Sequence, residues 1–209
     1  MSKLYLDLLS ENQAKIFKIL SQFCEHGVLG GGTALALQIG HRKSYDFDVF
    51  LSKTLSKGFV YKVKKVFGNF ELIAQTGDEF SFTAMPQNVK VSFIYYPYRN
   101  LYEKIKTPHL DIFSWKDIAL DKAHTVGRRG EWRDYVDLYF IIRKGLSLSE
   151  IIELSKKKFG DSFSEKLFLS QLIYFEDIQD FTMELTADKP SRKDIKSFLE
   201  KEVKKLRFR

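Results

Sequence analysis

Residues 29–51 read LGGGTALALQIGHRKSYDFDVFL, which combines a glycine-rich turn, a run of small apolar residues and an extended segment. The extended segment, predicted as a strand over Tyr45–Leu51, alternates apolar residues with Asp46 and Asp48. Side chains two residues apart on a strand share a face, so the two carboxylates are predicted to lie roughly 6.5–7 Å apart on one face. Two like charges at that distance repel each other unless a cation lies between them. The spacing therefore predicts a metal site.

Three glycines, Gly30, Gly31 and Gly32, precede a short helix predicted over Thr33–Ile39. Glycine permits close backbone approach and positive φ, and the amides at the start of the following helix are free to bind phosphate. The triplet is not a Walker loop, because no Gly-Lys-Ser/Thr follows at the required spacing, and it is not a dinucleotide fingerprint. A tight turn without a ligand is the alternative interpretation.

Carboxylate oxygens suit Mg²⁺, which takes one or two carboxylates and leaves its other positions to substrate phosphates and water. Asp46 and Asp48 are therefore predicted to hold Mg²⁺ beside a triphosphate at the glycine turn. Between these elements, Arg42 could fork onto phosphate oxygens, and Ser44 could donate to phosphate or stabilise the turn. Two alternatives stay open: an exposed edge strand with solvated aspartates, and a surface salt bridge for Arg42.

The composition is that of a folded, basic protein. The chain has 209 residues, of which 44% are hydrophobic, and a formal net charge of +7. Such a surplus favours an anionic partner, nucleic acid or nucleotide, without distinguishing between them. The single cysteine, Cys24, excludes an intrachain disulfide and fits a reducing compartment. It falls on the apolar stripe of a predicted helix, where we expect it to be buried.

Membrane insertion is not expected. No apolar run approaches the roughly 18 residues that a membrane span needs. The N-terminal sequence, residues 1–4, lacks the apolar core of a signal peptide. The chain is therefore expected to be cytoplasmic and to have no membrane partner.

The periodicity of the chain changes near Ser114. Before it, extended segments at Phe70–Gln75, Glu79–Ala84 and Val89–Tyr96 are separated by short turn sequences that predict antiparallel hairpins. After it, helices are predicted at about 115–127, 131–144, 148–159, 163–176 and 191–206. The predicted class is α+β, with an N-terminal α/β unit over residues 1–112 and a helical bundle over residues 113–209.

Two blocks of the chain resemble the AbiEii-type nucleotidyltransferases, which belong to the DNA polymerase β superfamily and include abortive-infection and type IV toxins. The family pattern of G-G-T-A-L followed by R-x-S-x-D-[aliphatic or Phe]-D is kept between Gly31 and Asp48. Residues 115–138 read WKDIALDKAHTVGRRGEWRDYVDL and look like the family motif K-x-x-A/R … R-D-x-x-D-L. The resemblance implies a polymerase-β-like mixed sheet with flanking helices, followed by a helical domain that completes the active-site cleft.

The resemblance also implies a role for each motif residue. Lys122 would contact the triphosphate, whereas Asp134 and Asp137 would lie near the base or ribose. The residues implicated in catalysis are Asp46, Asp48, Lys122 and Asp134, and those implicated in nucleotide binding are Gly31, Gly32, Thr33, Arg42, Ser44 and Asp137. Helical spacing leaves an alternative for Asp137, a plain salt bridge with Arg133 at i, i+4.

This chain departs from the superfamily pattern at Ser92. The superfamily often has a third carboxylate on a later strand, expected here within Val89–Phe93, and Ser92 occupies that position. Either two aspartates suffice, with substrate phosphates completing the metal shell, or the enzyme is weak or inactive. The histidines form no zinc-binding spacing, and His124 is predicted either to touch phosphate or to be a surface residue.

The leading hypothesis is a Mg²⁺-dependent transfer of NMP from an NTP to a hydroxyl, with pyrophosphate released. The acceptor would be the 3′ end of a tRNA and the partner a cognate antitoxin, as in toxin members of the family. The basic run Lys156–Lys158 is predicted to guide the RNA backbone. Two alternatives remain: a nucleotidyltransferase-fold protein that binds nucleotide, RNA or a partner without turnover, and an enzyme that nucleotidylates a protein hydroxyl.

Overall fold

The computed structural model describes residues 4–186 and 188–207. Within it the chain forms two compact units. The first unit runs to Tyr98 and includes Tyr102–Ser114. The second consists of Arg99–Leu101 and the chain from Trp115 onward. Each unit has its own hydrophobic core and is described separately.

The first unit is a mixed sheet with helices. Its helices are α1 (Glu11–Ile19), α2 (Gly31–Ile39) and α3 (Lys57–Phe67), and its strands are β1 (Gly27–Gly30), β2 (Phe47–Leu51), β3 (Phe70–Gln75), β4 (Glu79–Ala84) and β5 (Val89–Tyr95). The strands of the described residues form one sheet in the order β1-β2-β5-β4-β3. The β2–β5 pair is parallel and the other pairs are antiparallel. The predicted α+β class is confirmed.

Strand β2 lies inside the sheet, paired with β1 on one side and β5 on the other. Its side chains alternate, with Phe47, Val49 and Leu51 buried and Asp48 on the opposite face. The edge-strand alternative is therefore wrong. The strand also begins later than predicted, at Phe47, which leaves Tyr45 58% exposed instead of continuing the apolar face.

An aromatic cluster holds the helices on the apolar face of the sheet. The Phe23 ring contacts those of Phe59 and Phe67 on α3 and of Phe93 on β5, with centroids 4.9–6.2 Å apart. Full burial of one such side chain contributes about 1.5–3 kcal/mol. Asp48, Ser92 and Ser81 project to the opposite face of β2, β5 and β4, together with the apolar Phe50 and Ile94.

The prediction that Cys24 is buried is wrong. Helix α1 ends at Ile19, and a 3₁₀ turn over Leu20–Phe23 follows it. A 3₁₀ turn has about 3.0 residues per turn instead of about 3.6, so the apolar stripe of the α-helix does not continue through it. Phe23 consequently points into the core, and Cys24 is exposed.

The second unit is helical. Its α-helices are α4 (Trp115–Val126), α5 (Trp132–Arg143), α6 (Leu148–Phe159), α7 (Glu165–Leu172) and α8 (Arg192–Arg207). Helix α4 is central, because α5 and α6 both pack against it. Helix α6 starts where a capping box joins Ser147 and Glu150. Among the helices of the described residues, none combines the length and apolarity that crossing a bilayer requires.

Helix α7 is shorter than predicted and ends at Leu172. The hydroxyl of Tyr135 lies 3.0 Å from the carbonyl oxygen of Gln171 and 3.1 Å from that of Tyr174. The last carbonyls of a helix have no partner within the helix, so this hydroxyl stabilises the end of α7. Burial raises the pKa of Tyr135, which keeps the hydroxyl protonated as a donor.

Candidate active site

The glycine turn lies directly against the polar residues of the first unit. Gly31 has φ +66°, a backbone conformation that favours glycine, and a Cβ there would overlap the carboxylate of Asp48. A Cβ on Gly32 would come within 2.5 Å of Arg42 Nη2 and 3.1 Å of Ser44 Oγ. Glycine is therefore required at position 31, Gly32 brings the turn close to Arg42 and Ser44, and the turn, Asp48, Arg42 and Ser44 form one cluster.

Asp46 and Asp48 are half-buried at the start of β2. The register places Asp48 beside Gly30 of β1 on one side and beside Ser92 of β5 on the other. Ser92, which stands where the superfamily pattern led us to look for a third acid, thus lies next to Asp48 in the sheet. The carboxylates of the first unit at this place are those of Asp46 and Asp48.

Thr33 supports the segment that carries Asp46. It is buried, and its hydroxyl donates to the backbone carbonyl of Asp46 and lies 2.9 Å from Ser44 Oγ. Gln13 Nε2 donates to the carbonyl of Ser44 at 2.7 Å. The Thr33 side chain therefore stabilises the segment from Ser44 to Asp46, which leads into β2.

Arg42 is 4% exposed, so the surface salt bridge considered for it is wrong. Its Nη1 donates to the carbonyl of Lys43 at 3.0 Å, and its Nη2 lies beside Gly32. A guanidinium held against a glycine backbone presents its planar donors close to the turn. This arrangement suits recognition of phosphate oxygens.

In the second unit, α4 and α5 bring together a lysine and two aspartates. Lys122 Nζ is 2.5 Å from Asp134 Oδ1 and 2.7 Å from Asp137 Oδ2. Both aspartates are buried. Arg133 pairs with Glu131, and the buried Asp137 pairs with Lys122, so the plain surface salt bridge between Arg133 and Asp137 is wrong. We call these three residues the Lys122 cluster.

The Lys122 cluster carries one positive and two negative charges in a buried place. Moving a charged group out of water costs several kcal/mol, which close pairing offsets only when the hydrogen bonds are complete. Here they are incomplete: within the described residues, Asp134 Oδ2 is buried without a hydrogen-bond partner, and Arg129 Nε lies 4.0 Å away. A buried acceptor of this kind is typical of a site that completes its bonding with another group.

A second cluster was missed by the sequence predictions. Lys158 Nζ lies 3.0 Å from Asp117 Oδ1, 2.9 Å from Asp121 Oδ1 and 3.2 Å from Asn100 Oδ1. The side chain of Lys158 is 0% exposed. We call Lys158, Asp117 and Asp121 the Lys158 cluster.

The prediction that Lys158 guides RNA is therefore wrong, whereas its neighbours Lys156 and Lys157 are exposed. A signal was present in the sequence. Lys158 falls on the buried stripe of α6, which includes Ile151, Ile152, Ser155 and Phe159. A lysine on such a stripe is expected to have a buried carboxylate partner.

His124 on α4 packs within the second unit. Its ring stacks on that of Phe159 with centroids 4.2 Å apart, and Nε2 lies 3.1 Å from the carbonyl oxygen of Ser162. Burial, followed by the charges of Arg128 and Lys158, lowers the pKa of His124. These contacts make His124 a packing residue.

Asp46, Asp48 and the glycine turn fit a metal ion that is shared with the phosphates of a substrate. Within residues 4–186 and 188–207, no three His, Cys, Asp or Glu side chains are close enough to hold a metal by themselves. Asp46 and Asp48 supply two carboxylates, which matches the number that Mg²⁺ takes when substrate phosphates complete its shell. Gly31, where a Cβ would overlap Asp48, brings the backbone of the turn directly against one of these carboxylates, so phosphates bound at the turn would lie beside Asp48.

A glycine turn between β1 and α2, next to an acidic pair on a central strand of a mixed sheet, defines the nucleotidyltransferase fold. Solved structures share it. The nucleotidyltransferase toxin MenT4 from Mycobacterium tuberculosis H37Rv matches with a TM-score of 0.62 and 17% identity, covering 92% of this chain and 81% of that one. JHP933 from Helicobacter pylori matches with a TM-score of 0.52 and 15% identity, covering 98% and 97%.

The family is shown by sequence. The model of the nucleotidyl transferase AbiEii toxin, type IV toxin–antitoxin system, matches residues 16–207. The chain is also 32% identical over 204 residues to the uncharacterized protein aq_aa25 of Aquifex aeolicus (strain VF5), covering 94% of this chain and 96% of that one. The chain therefore belongs to the AbiEii toxin family, and it is a nucleotidyltransferase enzyme. The resemblance inferred from the two motif blocks is confirmed.

Proposed function

We propose that this toxin nucleotidyltransferase uses Mg²⁺ to transfer NMP from an NTP to the 3′ end of a tRNA. The observation that carries the proposal is the cluster in the first unit. Gly31 lies against Asp48, and Gly32 lies against Arg42 and Ser44. A Cβ on either glycine would crowd these side chains. Backbone amides, a guanidinium and metal-binding carboxylates in one place match the three chemical needs of a triphosphate.

In the proposed reaction, the acceptor oxygen forms a bond to the α-phosphorus while the bond from that phosphorus to the bridging oxygen breaks. Pyrophosphate leaves, and the hydroxyl proton passes to solvent. Mg²⁺, when bound by Asp46 and Asp48, supplies charge neutralisation for the phosphates. Arg42 would bind oxygens of the departing pyrophosphate, where negative charge develops. Gly31 and Gly32 would hold the triphosphate through their amides.

The Lys122 cluster is proposed to act on the same nucleotide, as the family motif implies. Lys122 would exchange a carboxylate for the triphosphate, which carries more negative charge than either aspartate. Asp134 would then be free to bind the base or ribose with its second oxygen, which has no hydrogen-bond partner within the described residues. Asp137 would retain the lysine between turnovers.

A nucleic-acid acceptor is favoured by charge. The formal net charge of +7 promotes association with a polyanion. A protein acceptor, or binding without turnover, is the competing function. Ser92 in place of a third acid supports binding without turnover, because it leaves two carboxylates for the metal.

The deciding experiment incubates the purified protein with each labelled NTP, Mg²⁺ and total tRNA. We expect label on tRNA, and we expect its loss in Asp46→Ala and in Asp48→Ala. Transfer that persists in both variants would contradict the proposed metal site. Label that appears on proteins in a lysate instead would identify a protein acceptor, and tight NTP binding with no labelled product would identify a binding protein.

Membership of a toxin–antitoxin family predicts a cognate antitoxin. Expression of the protein in a bacterial host is expected to arrest growth, and co-expression of a gene from the same operon is expected to relieve the arrest. Asp48→Ala serves as the control, because a toxin that acts through transfer loses toxicity with the metal site. Undiminished toxicity of Asp48→Ala would separate toxicity from catalysis.

A further inference from the structure

A row of polar side chains crosses the sheet on the face that carries Asp48. The register aligns Gly30, Asp48, Ser92 and Ser81 on the successive strands β1, β2, β5 and β4. Residues paired across a sheet project to the same face, so Ser92 lies between Asp48 and Ser81. Ser81 is 0% exposed and Ser92 3% exposed, although both are hydroxyl side chains.

A carboxylate stands at the far end of this row. Glu79 precedes Ser81 by two residues on β4, and side chains at that spacing share a face. Ser81 Oγ donates to Glu79 Oε1, and it lies 2.8 Å from Ser92 Oγ. The hydrogen bonds therefore run from Glu79 through Ser81 to Ser92, the strand neighbour of Asp48.

The chemistry of the row extends the influence of Glu79 to Ser92, the strand neighbour of Asp48. A carboxylate only accepts, and a hydroxyl has a single proton, so ionised Glu79 competes strongly for the proton of Ser81. In a buried row the effective dielectric is lower than in water, so a charge acts over a longer distance. Two buried serines could bond to each other without a carboxylate. The presence of Glu79 therefore adds negative charge that packing alone does not require.

We infer that Glu79 supplies, through Ser81 and Ser92, the negative charge that a third acid at position 92 would supply to the metal site. Glu79 is a positioning residue, because it acts through the two serines on the ion that Asp46 and Asp48 hold. The inference rests on the proposed function. It removes the apparent conflict between Ser92 and a working nucleotidyltransferase, because the missing acid has its counterpart one strand away.

The test measures metal binding directly, with Mn²⁺ as the probe. Free Mn²⁺ is counted by electron paramagnetic resonance in the presence of the protein and an NTP analogue whose α–β linkage cannot be cleaved. Glu79→Gln keeps the shape and an acceptor oxygen but removes the charge. We expect it to weaken Mn²⁺ binding about tenfold, which corresponds to about 1.4 kcal/mol. Ser81→Ala, which breaks the row, is expected to weaken binding in the same direction.

The matched control is Glu71→Gln, which removes an exposed carboxylate from the adjacent strand β3 and is expected to leave Mn²⁺ binding unchanged. The rescue is Ser92→Asp introduced into Glu79→Gln. It places a carboxylate at the superfamily position and is expected to restore binding. A purely structural role of Glu79 would not predict that restoration. Thermal unfolding of every variant verifies folding.

The outcomes separate this inference from the proposed function. Glu79→Gln that binds Mn²⁺ like the wild type, while Asp48→Ala has lost it, overturns the role of Glu79 and leaves the proposed site intact. A Glu79→Gln defect that Ser92→Asp does not restore also overturns it. Wild-type Mn²⁺ binding in both Asp46→Ala and Asp48→Ala overturns the proposed metal site itself.

Discussion

The Lys122 and Lys158 clusters contain the same groups and differ in how deeply the lysine is buried and in what else it contacts. Each places one lysine between two aspartates, and each uses residues of α4. The side chain of Lys158 is 0% exposed and also contacts Asn100 and the carbonyl of Asp117. The side chain of Lys122 is 10% exposed, and the exposed Arg129 lies 4.0 Å from its partner Asp134.

That difference indicates a structural use of buried charge in the Lys158 cluster and is compatible with the nucleotide-binding role proposed for the Lys122 cluster. In the Lys158 cluster, Asp117 Oδ1 also accepts from the backbone amide of Leu101 at 2.9 Å, so the cluster connects Arg99–Leu101 to α4 and α6. A fully buried lysine held in this way stabilises one arrangement of the unit. The more accessible Lys122 is the lysine that we expect to exchange partners when a nucleotide binds.

The largest expected effect is on stability, from Lys158→Ala. Removing the lysine leaves the buried Asp117 and the half-buried Asp121 without their cation, so the free energy of unfolding is expected to fall by about 3–5 kcal/mol. Urea denaturation measures it. Lys157→Ala, an exposed neighbour, is the control and is expected to change stability by less than about 0.5 kcal/mol. Equal stability of the two variants would contradict the structural assignment.

The next effect is on activity, from Lys122→Met. Loss of a group that stabilises phosphate charge is expected to lower transfer about 10²–10³-fold. The measurement is the initial rate of label transfer at saturating NTP and Mg²⁺. Lys116→Met, on the same helix, is the control with unchanged activity. If Lys122→Met transferred NMP at the control rate, the cluster would be structural, like that of Lys158.

Neutralising the whole Lys122 cluster sharpens the comparison. Replacing a complete buried ion cluster by well-packed uncharged residues of similar volume often leaves the free energy of unfolding unchanged or raises it by about 1–4 kcal/mol. We expect Lys122→Met with Asp134→Asn and Asp137→Asn to recover the stability lost by the lysine substitution alone. Transfer is expected to stay at least about 10²–10³-fold below the wild-type rate. Recovery of transfer together with stability would show that the Lys122 cluster only supports the fold.

The smallest effect concerns His124, beside the Lys158 cluster. Burial lowers its pKa from the ordinary value of 6.5, so the unfolded chain binds a proton more readily than the folded one. The stability that neutral His124 contributes is therefore complete above pH 6.5 and is lost as the pH falls through the lowered value. His124→Phe is expected to flatten the dependence of unfolding free energy on pH below 6.5. An unchanged dependence of the unfolding free energy on pH would show that His124 does not contribute to it.

Local patterns predicted several elements of both units with their bounds. The strands over Phe70–Gln75 and Glu79–Ala84 and the helix over Leu148–Phe159 have the predicted bounds, because alternation and capping are local properties. The glycine turn and acidic pair also depend on short spacing. The prediction that Cys24 is buried was wrong because a 3₁₀ turn changed the helical phase, which the apolar pattern of the sequence does not reveal.

The partners of buried charges were not predictable in the same way. Lys158 reaches Asp117 across 41 positions of the chain, and Lys122 reaches Asp134 across 12. Residue type alone does not distinguish a lysine in an exposed basic run from a lysine in a buried cluster. Packing of α6 against α4 selected one lysine of the run Lys156–Lys158 for burial.

The sequence by itself determined the family, the α+β class and the motif residues, because each depends on residue types at short and regular spacings. The tertiary structure alone decided which side chains meet. Sheet register placed Ser92 beside Asp48, hydrogen bonds connect Ser92 through Ser81 to Glu79, and helix packing buried Lys158 completely while leaving Lys122 partly accessible. Contacts between distant residues follow from the burial of apolar faces against one another, which no local pattern contains.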